Sequence, residues 1–150
     1  MSALTFKYTC ASCNTSFEAS GVSDFSYGEF VMRSEKGHEV YLEAISSPVF
    51  KEVADMVETH PLLAHENDSK RGDVVQKVFS VACDVDLSGK EYAIGVMPKC
   101  PNCGSHKMAS WDQVSPPRSS SIPSVSHSNW LSLSDAQKLA KVDKAIRDNL

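Results

Sequence analysis

Two short stretches decide how this sequence is read: Tyr8-Thr9-Cys10-Ala11-Ser12-Cys13-Asn14 and Lys99-Cys100-Pro101-Asn102-Cys103-Gly104-Ser105. Each holds a C-x-x-C pair, and together they use four of the five cysteines. Two thiolates separated by two residues can face one ion across a tight turn. A second such turn supplies the other two corners of a tetrahedron. The residue after each pair suits that turn. Gly104 adopts positive φ without steric cost, and Asn14 is the non-glycine type that best tolerates it. The chain starts Met1-Ser2-Ala3-Leu4-Thr5-Phe6-Lys7, with no basic stretch followed by an apolar one. It is therefore expected to stay in the cytoplasm, where disulfides rarely persist. Cys10, Cys13, Cys100 and Cys103 are thus expected to ligate a structural Zn2+. Iron is chemically possible with four thiolates, but nothing else in the chain suggests electron transfer.

Both stretches resemble the two knuckles of a zinc ribbon, a resemblance covering roughly residues 5–18 and 92–113. It implies a metal-binding β-framework and says little about activity, since many unrelated proteins share it. The chain departs from a minimal ribbon in one respect: 86 residues, 14–99, separate the pairs. Closing so long a loop costs little more than closing a short one. Zinc binding worth on the order of 10 kcal/mol offsets that cost.

Working outward, residues 4–19 read as a hairpin carrying the first knuckle, and 107–114 as the last ribbon strand. Gly21-Val22-Ser23-Asp24 reads as a turn, followed by Phe25, Tyr27 and Phe30. The run near Glu29 to Arg33 pairs with Glu39-Val40-Tyr41-Leu42-Glu43-Ala44-Ile45 across the turn at Glu35-Lys36-Gly37-His38. A helix begins at Ser46-Ser47-Pro48, with serine as N-cap and proline at the first position. Val49, Phe50, Val53, Met56 and Val57 share its apolar face, with Lys51, Glu52, Asp55 and Glu58 opposite. His60-Pro61 ends it. Asn67 to Asp73 reads as a polar loop. Val74 to Val85 fits either a helical stripe or a strand, and five valines in twelve residues favour the strand. With Glu91 to Met97 it is expected to form a hairpin. From Ser115 the composition changes: residues 115–134 hold nine serines and three prolines, a linker expected to be mobile or partly extended. Trp130, Leu131 and Leu133 break its polarity. A helix then starts at Ser134 with Gln137 placed for a capping box. Leu139, Val142, Ile146 and Leu150 form its stripe, and Asp143/Arg147 and Lys144/Asp148 its i,i+4 pairs. Too short to be stable alone, it should dock on its own body, a second copy or another protein. The expected fold class is α+β: a zinc-ribbon domain over 1–114 with an α/β insertion at about 20–90, a linker at 115–134 and a C-terminal helix at 135–150.

At 41% apolar and 23% charged over 150 residues, the chain has the size of one domain with part of it unpacked. No run of 18 apolar residues exists, so no membrane-spanning helix is expected. Residues 1–114 carry ten basic against sixteen acidic side chains, and 115–150 five against three, for a net charge of −4. A generally basic nucleic-acid binder is excluded as the default. The expectation is a non-catalytic protein-protein interaction module for a basic partner, of the kind an inhibitor or immunity protein provides. Homo-oligomerisation through the last helix is a further option. One alternative is a nucleic-acid-binding or transcription-associated ribbon, using Lys99, Lys107, Arg118 and Trp111. The second is a thiol-dependent enzyme using Cys83 or a C-x-x-C thiol, with Cys83 otherwise reading as a packing residue. His38, His60, His65, His106 and His127 are scattered, and only His106, three residues after Cys103, could compete as a ligand.

Overall fold

The computed structural model describes residues 3–23 and 26–150. Met1 and Ser2, and Asp24 and Phe25 around the expected turn, lie outside the described residues. The fold is α+β, built on two antiparallel sheets. Strands β1 (Ala3–Cys10) and β2 (Ser16–Gly21) form the expected first hairpin. Strands β3 (Glu29–Arg33) and β4 (Glu39–Glu43) form the second, with Glu29 opposite Glu43 and Arg33 opposite Glu39. Helix α1 (Pro48–Glu58) starts as the sequence requires. Ser47 caps it, its hydroxyl accepting from Phe50 N, and Val49, Val53 and Val57 are buried.

The next segment corrects an expectation. Val74 to Val85 is not a strand. Helix α2 (Asp68–Val78) runs into a 3-10 turn over Phe79–Ala82. The supposed polar loop is the first half of that helix, and Asn67 is its N-cap, accepting from Lys70 N at 2.8 Å. Valine's β preference is worth a fraction of a kcal/mol per residue. Val74, Val75 and Val78 gain more from burial on one helical face. The expected hairpin partner shrinks to β5 (Ala93–Ile94), which pairs with β3 instead.

Strand β6 (Met108–Gln113) pairs antiparallel with β1, as a last ribbon strand should, and β7 (Ser119–Ser120) adds beside β1 at Ala3 and Leu4. The sheet orders are β2-β1-β6 and β4-β3-β5. Beyond β7 the Ser/Pro-rich stretch is extended, and it is held. Tyr41 N donates to Pro123 O at 2.8 Å, Val125 N to Tyr41 O at 2.9 Å, and Asp84 N to Ser126 O at 2.9 Å. It ends in the short helix α3 (Ser128–Leu131), whose Trp130 is 1% exposed.

Helix α4 (Asp135–Asp148) carries the expected capping box of Ser134 and Gln137 and both expected i,i+4 ion pairs. It docks on its own body, packing with α1 and α2 over the second sheet. Its buried stripe is Lys138, Val142 and Ile146. Leu139 and Leu150 of the expected stripe are exposed. Lys138 takes the place because its ammonium lies over the Trp130 ring, 5.4 Å from the centroid, and reaches Glu52 at 3.1 Å. Glu52, expected on the solvent face, also accepts from Trp130 Nε1 at 2.7 Å. Burial pushes its carboxyl up, but those two partners outweigh burial and hold it below its ordinary value.

Arg33 joins the sheets. It is 6% exposed, and its Nε contacts Glu39 at 2.7 Å. Nη1 donates to Val96 O at 3.0 Å, and Nη2 donates to Tyr8 Oη and to Ser20 O on the first sheet. The guanidinium also sits 5.7 Å from the Tyr8 ring centroid. No helix among the described residues is long and apolar enough to cross a membrane.

Two outcomes follow from the packing of α3. Trp130→Ala should lower the unfolding free energy by about 3–5 kcal/mol, read by denaturant titration, and should speed amide exchange over residues 119–126. Asp84 caps α3 from a distance: the Asn129 amide first, then the Ser126 hydroxyl and Ser128 amide, draw its carboxyl down to about 2. A depressed folded-state pKa contributes stability above the unfolded value that is lost as pH falls through the folded one. The stability difference between the native chain and Asp84→Ala should therefore be constant near neutrality and vanish from about pH 4 down toward 2.

Candidate metal centre

β1 ends at Cys10, and the chain turns through Ala11-Ser12-Cys13. Asn14 N donates to Cys10 O at 3.0 Å, and Cys10 N to Thr15 O at 2.9 Å. The second turn repeats the pattern, with Gly104 N on Cys100 O at 2.9 Å and Cys100 N on Ser105 O at 2.8 Å. Both turns need a left-handed residue, supplied as expected by Asn14 at φ 62° and Gly104 at φ 77°. The turns are brought side by side by the β1–β6 ladder, by Ala11 N donating to Lys107 O at 2.9 Å, and by the Ser12 and Ser105 hydroxyls 3.0 Å apart.

The result is a cluster of four sulfurs from Cys10, Cys13, Cys100 and Cys103, all within 4.8 Å of one another. The closest pairs are Cys10–Cys103 at 3.5 Å and Cys13–Cys100 at 3.6 Å. Zn–S bonds of about 2.3 Å in a tetrahedron place sulfurs about 3.8 Å apart. The spacing fits that ion and is far too long for a disulfide. All the cysteines are free thiols.

The surroundings favour ionised sulfur. The Thr15 hydroxyl lies 3.2 Å from Cys13 Sγ, and Asn102 Nδ2 donates to it at 3.5 Å. Led by Thr15, these contacts bring Cys13 down to about 5. Burial pushes Cys10 up, but the Cys13 and Ser12 backbone amides outweigh it and lower its pKa. At Cys103 the Ser105 amide pulls downward, while Cys10, burial and the remaining thiols carry it up to about 12. A divalent cation would replace the thiol protons. With four thiolates bound, such an ion has no open position, so the site can staple the fold but offers no place for a substrate.

One further signal lies in the sequence around both turns. Thr15 and Ser105 stand at the same place, two residues after the second cysteine of each pair. In each turn that residue's carbonyl accepts from the first cysteine's N–H, and Thr15 adds its hydroxyl near Cys13.

The other candidate residues lie apart from this cluster. His106 points Nδ1 at Met97 O, 2.8 Å away, and is not among the grouped ligands. His60 bridges the Leu62 amide and Asp143, and His127 contacts Ala82 O. His38 and His65 are exposed. Cys83 is half-buried against the core, its thiol 3.5 Å from Phe79 O, and burial with Asp84 and Glu91 pushes it up to about 12. Trp111 stands 46% exposed on β6, with Lys107 exposed just before that strand. Arg118 is ion-paired to Glu18.

The left-handed turn gives a direct test. Asn14→Val should cost on the order of 1–2 kcal/mol through backbone strain, seen as weaker competition for zinc against a chromogenic chelator. Asn14→Gly should leave it unchanged or improved.

Compared with known proteins, the chain matches no family model, and no curated protein and no solved structure is similar to it.

Proposed function

We propose that this chain is a zinc-stapled, non-catalytic module that binds another protein. The observation that carries the reading is the closed four-sulfur cluster, which offers a metal four thiolates and leaves no coordination position for chemistry. The tetrathiolate zinc-ribbon framework then serves as a scaffold, and the function lies on its surface. Residues 1–114 are acidic, with sixteen carboxylates against ten basic side chains, which suits a basic protein partner of the kind an inhibitor or immunity protein meets. Large apolar side chains stand out on turns: Leu87 is 99% exposed, Tyr27 85% and Ile45 68%. Leu87 sits on a turn that Asp86 ties down by accepting from Ser88 N, Ser88 Oγ and Lys90 N. Such side chains offer apolar area that a partner can bury, and Tyr27 is of a type enriched at interface anchors. The free thiols fit a reducing compartment such as the cytoplasm. Cys83, held protonated and half-buried, weighs against a thiol-dependent enzyme.

Native mass spectrometry of the whole chain should find one zinc per chain, and chelation should lower the thermal midpoint sharply. A metal-free yet fully folded protein overturns the zinc reading. Affinity capture with the zinc-loaded chain should recover a basic protein in a salt-sensitive manner, weakened by Leu87→Ala. Recovery of nothing beyond a charge-matched control overturns the binding reading.

A second reading, a nucleic-acid-binding ribbon, is favoured by exposed Trp111 on β6 near Lys107. It requires retention on single-stranded DNA or RNA with a steep salt slope. No retention at low salt removes it.

A further inference from the structure

Helix α2, the 3-10 turn after it and helix α4 enclose a cavity of about 430 Å³. This lies within the size range of small-molecule sites. Its charge is opposite to that of the chain. Lys77 enters from the last turn of α2, and Lys141 and Lys144 from one face of α4, three residues apart. Lys144 is neutralised by Asp148 at 2.8 Å. Among the described residues Lys77 and Lys141 have no carboxylate within ion-pair distance, and Glu91 is the other acid in the lining. The Ser80 hydroxyl and the Asn129 carboxamide line the same space, and neither side chain has a hydrogen-bond partner within the described chain. The floor is apolar, with Trp130 and Val78 each 1% exposed and half-buried Val81 beside them.

We propose that this cavity binds a small anionic molecule with an apolar body, a phosphate or carboxylate on a ring or short hydrocarbon. The anion sits between the Lys77 and Lys141 ammonium groups with Ser80 and Asn129 as neutral donors. The apolar part rests on Val78, Val81 and Trp130. Two cations from separate helices attract one anion more strongly than either alone. The apolar floor rewards a ligand that displaces water from it. Two other cavities among the described residues lack this combination: the one beside Asp84 and Asp86 is lined by carboxylates, and the one beside Phe30 and Phe50 carries a single charged side chain, Lys51.

The test is amide-shift titration of the full, zinc-loaded chain with phenyl phosphate and, separately, phenylacetate. At least one should give saturable shifts confined to residues 77–83, 129–130 and 141–149, and their ranking distinguishes phosphate from carboxylate. Inorganic phosphate should bind more weakly than phenyl phosphate, since it lacks the apolar part. Lys77→Gln with Lys141→Gln should weaken binding by about tenfold, while Lys51→Gln, on a distant face, should leave it unchanged. Lys51, Lys77 and Lys141 are all exposed, so these variants keep the fold. The proposal is overturned if neither probe saturates up to about 5 mM, if the double variant binds as well as the native chain, or if the shifts gather at another surface.

Discussion

Strand β1 is clasped by partners that come from both ends of the body. β2 follows it directly, across the first knuckle, while β6 arrives from a hundred residues away and brings the second knuckle alongside the first. The sulfurs of Cys10 and Cys103, 93 positions apart in the chain, end up 3.5 Å from each other. Everything between them must fold within the loop that this juncture closes. The entropy of such closure grows only logarithmically with length, so a long insertion is tolerated if something at the juncture is strong. A cation held by four thiolates would be the strongest interaction available to a chain of this size.

The insertion answers that constraint with a core of its own. Met32, Val40 and Leu42 on the second sheet meet Val53 and Val57 of α1, Val74 and Val78 of α2, and Val142 and Ile146 of α4. Arg33 couples this core to the first sheet. Its charge is met by Glu39, and its remaining donors reach carbonyls and a phenol on both sheets. A buried guanidinium satisfied on every side adds little net stability, but removing one partner strands the others. It therefore sets how the sheets meet more than how strongly they adhere. The C-terminal region completes the wrapping: residues 119–126 run along the sheets, Trp130 plugs the core, and α4 covers it.

Much of this was legible in the residues themselves. The two C-x-x-C turns, the residues after them, the Ser47-Pro48 start of α1 and the Ser134/Gln137 box are local devices. Their hydrogen bonds close within a few positions, so a short window of sequence specifies them. The β3–β4 hairpin was legible for the same reason. The cysteine cluster needed one long-range step, and the spacing of two C-x-x-C pairs supplied it, since four thiols so paired suit a single tetrahedral ion.

The sequence by itself thus determined the pairing of the four cysteines, the capped starts of α1 and α4, and the first two hairpins. Only the tertiary structure decided the rest. Val74 to Val85 carries a strand's composition, yet burial beside α1 and the second sheet turned it into helix. Residues 115–134 have a linker's composition, and backbone pairing with Ala3, Leu4 and Tyr41 held them in place. Lys138 reads as a surface lysine, and the Trp130 ring with the Glu52 carboxylate drew it inside. In each case the local preference is a fraction of a kcal/mol per residue, while the contacts that overrode it join segments tens of residues apart and exist only once the chain has closed on itself.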